Sequence, residues 1–453
     1  MLKSKAAASL FAVLFLGLAV TGCSKSYQAS SIQQSLLDIC RKEYGIENIQ
    51  VKTADDTIGV YLPFGNLFGN GLRDALKSGR VENIDKFFQP SAEAIEKIED
   101  LLFALSRVMM SADKNFRFYV LQVTDVENSG LQLVIKGYLD DIKRVRIWDI
   151  SRTEYRMRIV HELHLNQAVL WHKPVRAFYR DLETQTLENV KTKYFKQSLT
   201  TQALSHLFFD AVPAGQAQAQ AGVNWKIEDI RSIDLDKSGA VVYTKVRPAL
   251  KSGALLGDAD LEFLFIITLG KGEEPRIARV IPFQYRDEQG HWSKISFPSE
   301  LQLDKNLAEW KEEFPMAPIH LGTFLGEQLT RRMQAIYAVD ERIQNTFYAI
   351  KAEFDFTENT KPGVFSMNIQ SQLRDPNAEQ GGAVLNHEDM LYALNIAFRE
   401  FVNLVRNYNF GDFDRLSLNV AEAGVPWILK RDQLELFRRK QVDMAGLLAF
   451  TKI

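Results

Sequence analysis

The chain has 453 residues, of which 46% are hydrophobic and 25% are charged, with 55 Lys and Arg against 57 Asp and Glu. This composition is typical of a water-soluble globular protein and excludes collagen-like, disordered and multi-span membrane classes. The near balance of charge argues against a nucleic-acid partner, and the length predicts two to four domains at about 100 to 200 residues each.

Residues 1–22 have the pattern of an export signal. Lys3 and Lys5 precede an uncharged apolar run over residues 6–20. That run is shorter than the roughly 20 residues that a membrane-spanning helix needs. We therefore predict that this leader is removed.

The four residues Val20-Thr21-Gly22-Cys23 follow the apolar run. They resemble the lipobox of bacterial lipoproteins, with Val20 in place of the commoner Leu. The resemblance implies cleavage between Gly22 and Cys23, diacylglycerol on the Cys23 sulfur, and acylation of the new amine by a fatty acid such as palmitate. Ser24, where inner-membrane members carry Asp, implies the outer membrane, facing the periplasm, with the inner membrane and the cell surface as alternatives. An ordinary secretory signal with a cysteine nearby by chance is the competing interpretation.

The leader is followed by a serine-rich stretch, 23–31, which we interpret as a tether, and then by a first domain over residues 32–167. A helix over 31–44 carries Cys40 on its apolar stripe, which predicts a buried structural thiol. Alternating residues predict a hairpin over 49–62, and Ser91 is placed to cap a second helix. Strands are predicted over 116–124 and 131–136.

The C-terminal block, residues 301–453, shows the same order of elements. A helix over 326–342, a hairpin turning at Lys361-Pro362-Gly363, a helix after Asn386 and a strand over 416–420 are predicted. The fold class is therefore α+β and multi-domain, with helix-hairpin-helix-strand modules at both ends. This shared order raises the hypothesis that the last block is a repeat of the first.

Between them, residues 168–300 change to short helices followed by long strands. Pro174 is predicted in the first turn of a helix, and residues 213–222 are low-complexity. Val175-Arg176-Ala177-Phe178-Tyr179 and Gly290-His291-Trp292-Ser293-Lys294-Ile295 resemble the cone-shaped α+β fold of nuclear transport factor two. The resemblance implies an apolar pocket that is catalytic, ligand-binding or filled.

The first domain also resembles OmpA-like peptidoglycan-binding domains, through Tyr61-Leu62-Pro63 and the segment 121–125. Their downstream Arg-Ala pattern is missing, so no ligand residue is transferred from that family. Attachment to peptidoglycan by the terminal domains follows as one alternative function.

Motifs for catalysis or metal binding are weak. His161 and His164 are spaced for a strand over 155–166 that points them to opposite faces, so a metal pair is disfavoured. The segment 234–239 begins like a calcium loop, but Lys245 stands where the bidentate Glu belongs, which favours a hairpin turn. We identify no catalytic residue, no metal ligand and no cofactor motif.

One basic strip is the best candidate for binding. It comprises Arg144, Arg146, Trp148, Arg156 and Arg158. Arginine and an exposed aromatic ring suit lipid phosphates or anionic glycans, whereas a solvated face paired with nearby acids is the ordinary alternative.

The sequence thus predicts a lipid-anchored bacterial envelope protein with a non-catalytic binding or assembly role. Its partners would be the membrane, through the N-terminal lipid, and an envelope protein, lipid or glycan. The alternative is a periplasmic carrier or enzyme using the central cone, with His206 and Asp210 as the candidate acid and base.

Overall fold

The computed structural model describes most of the chain in thirteen ranges. They are 27–68, 90–127, 130–195, 200–209, 223–236, 239–250, 260–269, 274–286, 292–294, 306–358, 362–374, 388–420 and 426–450. The described ranges contain helices together with strands that form open sheets, which confirms the α+β class.

The N-terminal module, residues 32–165, is a five-stranded sheet with helices. Its elements are α1 (Ile32–Tyr44), β1 (Gln50–Ala54), β2 (Thr57–Phe64), α2 (Ala92–Ser111), β3 (Phe118–Asp125), β4 (Leu131–Tyr138), α3 (Leu139–Arg146), α4 (Arg152–Arg158) and β5 (Val160–Leu165). The strands lie in sequence order, and β3 runs parallel to β2 while the other neighbours are antiparallel. Ser91 caps α2 as predicted, because its hydroxyl accepts from the Ala94 N–H at 3.2 Å.

The C-terminal module, residues 321–449, has a four-stranded sheet with the strand order and directions of β1 to β4. Its elements are α8 (Leu321–Val339), α9 (Glu341–Thr346), β12 (Phe347–Thr357), β13 (Gly363–Leu373), α10 (Glu388–Asn407), β14 (Phe413–Val420), β15 (Trp427–Lys430), α11 (Arg431–Arg438) and α12 (Met444–Ala449). Here too a hairpin is followed by a helix, a parallel strand and an antiparallel strand. This likeness is compatible with duplication, which stays a prediction.

The central module, residues 167–294, packs three helices against an antiparallel meander. Its elements are α5 (Gln167–Thr184), α6 (Leu187–Tyr194), α7 (Thr201–Phe209), β6 (Val223–Asp236), β7 (Gly239–Leu250), β8 (Leu261–Thr268), β9 (Arg276–Pro282), β10 (Gln284–Arg286) and β11 (Trp292–Lys294). Asp236 pairs with Gly239 at the ends of the antiparallel strands β6 and β7, which agrees with the hairpin interpretation of the calcium-like segment.

A connecting segment, residues 306–316, ties the modules together. Lys311 pairs with Ser232 of β6 through two backbone hydrogen bonds of 3.0 and 2.7 Å. Phe314 stacks on Tyr61 of β2 with ring centroids 5.6 Å apart. The segment was predicted as part of the last domain, but its described contacts are with the other two modules.

The N- and C-terminal modules share an apolar core. Phe118 of β3 and Val160 of β5 are buried in the same cluster as Phe324 and Leu325 of α8. Lys136 of β4 adds an ion pair of 2.8 Å to Glu327 of α8.

Three local predictions are wrong. The strand predicted over 155–166 is present from Val160 to Leu165, but its first residues, 155–158, belong to helix α4, because Ser151 accepts from the Glu154 N–H at 3.0 Å and thereby starts a helix. Pro174 lies inside α5, since Asn166 caps that helix one residue before Gln167. The predicted tether is partly structured, because Ala29–Ser31 form a 3₁₀ turn and the Ala29 N–H donates to Asp113 at 2.7 Å.

Other predictions lie partly or wholly outside the described residues. These are the leader, the lipobox, the low-complexity segment 213–222, Asp210, Lys361, Asn386, His291 and Ile295.

Candidate functional site

The structure divides the basic strip into an exposed part and a buried part. Arg146, Trp148 and Arg156 are exposed and Arg144 is partly exposed, whereas only 3% of Arg158 is accessible. Arg144 donates from Nε to Asp149 at 2.5 Å. Arg146 reaches α2, where its Nη2 donates to Ser106 at 3.2 Å. Arg158 therefore does not belong to a binding surface.

Trp148 follows α3 in an unusual backbone conformation. Its φ is 61°, its own N–H donates to the Val145 carbonyl at 3.2 Å, and the Asp149 N–H donates to the Arg144 carbonyl at 2.9 Å. These two bonds form the Schellman ending of a helix, in which the left-handed residue is usually glycine. Helix α1 ends in that usual way, with Gly45 at φ 64°. At Trp148 the left-handed position is instead occupied by a bulky side chain, which is 85% exposed.

This geometry predicts the effect of Trp148→Gly on stability. Glycine adopts positive φ without a Cβ penalty, which for other residues is about 1 to 2 kcal/mol and is partly offset by glycine's greater freedom in the unfolded chain. We expect the free energy of unfolding to equal that of the wild type or to exceed it by up to about 1 kcal/mol. Urea denaturation measures this, and a clear loss would show that the indole has a packing role.

A buried charge network joins the N- and C-terminal modules around Arg158. Its Nη1 donates to Asp141 of α3 at 2.7 Å, and its Nε donates to Glu154 at 2.8 Å. The Tyr408 hydroxyl from the end of α10 donates to the other Asp141 oxygen, and the Gln328 amide of α8 donates to Tyr408 at 3.0 Å. The network therefore links helices of both modules.

Burial and pairing have opposite effects on the pKa values of the charged groups in this network. Burial raises the pKa of the Asp141 carboxyl, and the bonds from Tyr408 and Arg158 offset this only in part. Burial works to lower the pKa of Arg158, but its bonds to Glu154 and Asp141 outweigh burial and raise that pKa above its ordinary value. A guanidinium held between carboxylates in the interior is a structural element.

A second buried cluster surrounds Glu313 of the connecting segment, whose side chain is 7% exposed. The His172 Nδ1 of α5 lies 2.9 Å from Glu313 Oε1. Arg176, one turn later, donates from Nε and Nη2 to the two carboxylate oxygens, each at 3.0 Å. Gln122 of β3 and Asn166 donate to the Glu313 carbonyl at 2.6 and 2.8 Å.

The protonation states in this cluster follow from its contacts. Burial opposes ionisation of Glu313, but the His172 hydrogen bond and the Arg176 charge outweigh it and lower the pKa to about 2. Burial lowers the pKa of His172, so its imidazole is neutral at pH 7 and donates from Nδ1. His172 is fully buried, so in this arrangement the cluster orders the segment rather than meeting a substrate.

Sequence reasoning missed both clusters. Glu313 lies 141 positions after His172 and 137 after Arg176, and Asp141 lies 267 positions before Tyr408. No local motif connects such residues. The local signals were an Arg one turn after a His on the same face of α5 and the i, i+4 pair of Glu154 with Arg158.

The interior of the central module is packed with aromatic rings. Phe178 of α5 contacts Tyr194, Phe195, Phe208 and Phe265 with centroid separations of 5.3 to 5.7 Å. His206 lies in α7, and Asp210 lies outside the described residues. The described interior is thus packed with side chains, as in the filled alternative among the three that the cone resemblance implied.

The cysteine and the histidines considered as functional candidates make contacts that suit a structural role. Cys40 is fully buried, and burial raises the pKa of its thiol to about 12, which confirms the predicted structural thiol. His164 bonds to Glu162 at 2.8 Å, while the Arg331 guanidinium donates to the His161 carbonyl. Within the described ranges, no group of three or more His, Cys, Asp or Glu is arranged to hold a metal ion.

Gly22 and Cys23 precede the first described residue, Tyr27. Among the described helices, none combines the length and the apolar character needed to cross a membrane. Comparison of the chain with family models, with curated proteins and with solved structures finds no match to any of them.

Proposed function

We propose that this protein is a lipid-anchored bacterial envelope protein, attached through Cys23 to the outer membrane and facing the periplasm, with a non-catalytic binding or assembly role. The observation that carries the proposal is the position of Tyr27. Four residues after Cys23, its N–H donates to the Ser111 carbonyl at 3.3 Å and its carbonyl accepts from Asp113 at 2.9 Å.

This arrangement supports a short anchor. Four residues span at most about 14 Å when fully extended. A lipid on Cys23 therefore holds the end of α2 close to the bilayer. Two or more acyl chains make such an attachment effectively permanent, because each buried methylene contributes about 0.8 kcal/mol.

The non-catalytic role is supported by how the buried polar groups are used. Asp141, Arg158, Glu313 and His172 pair with one another or with backbone and link modules. The aromatic packing around Phe178 favours this role over a carrier or enzyme that uses the central module.

Cys23→Ala tests the anchor. We expect the variant to be soluble or to retain its leader, because the thiol that would carry the lipid is gone and the remaining one, Cys40, is buried. Membrane fractionation and intact mass spectrometry measure this. Cys40→Ala is the matched control and should stay membrane-bound, since Cys40 lies in the core. A Cys23→Ala protein that still pellets as a processed lipoprotein would exclude the proposal.

A further inference from the structure

Exposed apolar side chains gather around the second half of α2. Ile147 and Trp148, which we call the tip, are 73% and 85% exposed, and Phe103 on α2 is 65% exposed. Arg146 joins the two places, because it contacts Ser106 and Met110 of α2 at 3.2 and 3.7 Å. Single exposed apolar residues are ordinary, but a group of them at one end of a module indicates contact with an apolar partner.

Exposed cations precede and follow the tip along the chain. Arg146, Arg152 and Arg156 are exposed, while the nearby carboxylate of Asp140 is bonded to Lys143 at 2.7 Å and that of Asp149 to Arg144. An amphipathic indole bordered by arginine suits the boundary between lipid phosphates and acyl chains. On α2 the apolar and basic surface ends one turn before Phe103, because the exposed residues there include the acidic Glu96 and Glu99.

The tip also lies near the proposed lipid. Tyr27 bonds to Ser111, and Arg146 bonds to Ser106, five residues earlier on the same helix. Five helical residues rise about 7.5 Å. A bilayer held by Cys23 therefore lies within reach of the tip.

The backbone of Trp148 gives an independent reason to look for a function. Positive φ is a genuine outlier for a bulky residue. The other described non-glycine residues with positive φ are Asp55, Asn409 and Lys440, all polar. An exposed tryptophan kept where glycine fits best points to a use outside folding.

We propose that the tip inserts into the headgroup region of an anionic phospholipid bilayer beside the Cys23 lipid, with Arg146, Arg152 and Arg156 meeting lipid phosphates. This rests on the lipid anchor proposed above. The tip is a second contact that orients the protein, placing the end of α2 toward the membrane.

Vesicle binding tests the tip without the lipid. The mature chain from residue 23, carrying Cys23→Ser, is mixed with sucrose-loaded vesicles of phosphatidylethanolamine and phosphatidylglycerol and sedimented. We expect measurable binding that falls roughly tenfold in Trp148→Gly, since indole burial is lost. Arg152→Gln with Arg156→Gln should lower it roughly fivefold per arginine, and added salt should act in the same direction.

The control is Tyr348→Ser, which removes an exposed aromatic ring from β12 of the C-terminal module. Its binding should equal that of the parent chain. Equal binding by Trp148→Gly and the parent, or no vesicle binding by the parent, would overturn the proposal. Binding to lipopolysaccharide but not to phospholipid vesicles would also overturn it, in favour of a glycan partner.

The lipidated full-length protein gives a second measurement. In vesicles of brominated phospholipid, part of the tryptophan emission should be quenched in the wild type and that part should be missing in Trp148→Gly. Intact mass reports lipidation of Cys23 separately. An unmodified Cys23 with tip binding intact would remove the anchor alone, and lipidated protein with identical quenching in both variants would remove the tip alone.

Discussion

Glu313→Ala is expected to lower the free energy of unfolding by about 3 kcal/mol, because it leaves the fully buried His172 without its acceptor and removes both bonds from the partly exposed Arg176. The connecting segment should then loosen from α5 of the central module, because the shortest carboxylate bonds run to that helix. Urea denaturation measures the loss, and limited proteolysis near residues 306–316 reports the loosening.

The neighbouring residue provides the control. Glu312 pairs with Lys52 at 2.6 Å and with Arg231 at 3.1 Å, but these side chains are partly exposed. Water screens such pairs, so Glu312→Ala should lower stability by no more than about 1 kcal/mol. Equal effects of the two substitutions would contradict the inference that Glu313 holds the connecting segment in place.

The same carboxylate predicts a dependence on pH. Its pKa falls from an ordinary value of 4.5 to about 2 on folding. The unfolded chain therefore binds more protons between these values, so stability that is present above pH 4.5 is lost as the pH falls toward 2. The full difference corresponds to about 3 kcal/mol. Glu313→Gln should show a shallower decrease of the unfolding free energy between pH 5 and 3, and parallel curves would refute this.

Arg158→Ala is expected to be similarly severe. Removing the guanidinium leaves Asp141, which is 2% exposed, without its ion partner. It also removes one of the two arginines that bind Glu154, the other being Arg332 of α8 at 2.6 Å. The cost of breaking a buried pair in this way is about 3–5 kcal/mol. Urea denaturation measures it, and earlier proteolysis between the N- and C-terminal modules should accompany it.

Arg156, on the same helix, is the matched control. It is exposed, so Arg156→Ala should change the unfolding free energy by no more than about 0.5 kcal/mol. The two arginines differ by two positions in sequence and are alike in charge. If both substitutions had equally small effects, the buried network would have no role in joining the modules.

Local periodicity was sufficient for many elements. Helix α1, the hairpin of β1 and β2, and the capped start of α2 follow from apolar spacing and from Ser91. The failures occurred where short-range signals competed. Residues 155–158 alternate like a strand, but Ser151 and the i, i+4 pair of Glu154 with Arg158 favour a helix.

At the candidate site, too, local sequence signals identified residues but did not say which of them are exposed. Arg144, Arg146, Trp148, Arg156 and Arg158 were grouped because they are close in sequence. Sequence spacing does not say which side of a helix faces another module. The structure turns Arg158 toward Tyr408 while Arg156 remains exposed.

By itself, the sequence determined the α+β class, the buried thiol of Cys40 and most element types, because these depend on interactions between residues a few positions apart. The leader and lipobox are predicted from equally local signals. Only the tertiary structure decided that Glu313 meets His172, that Asp141 meets Tyr408, and that Tyr27 bonds to the end of α2, the helix that Arg146 also contacts. Such pairs form when packing brings distant segments together, and desolvation then makes their pairing obligatory.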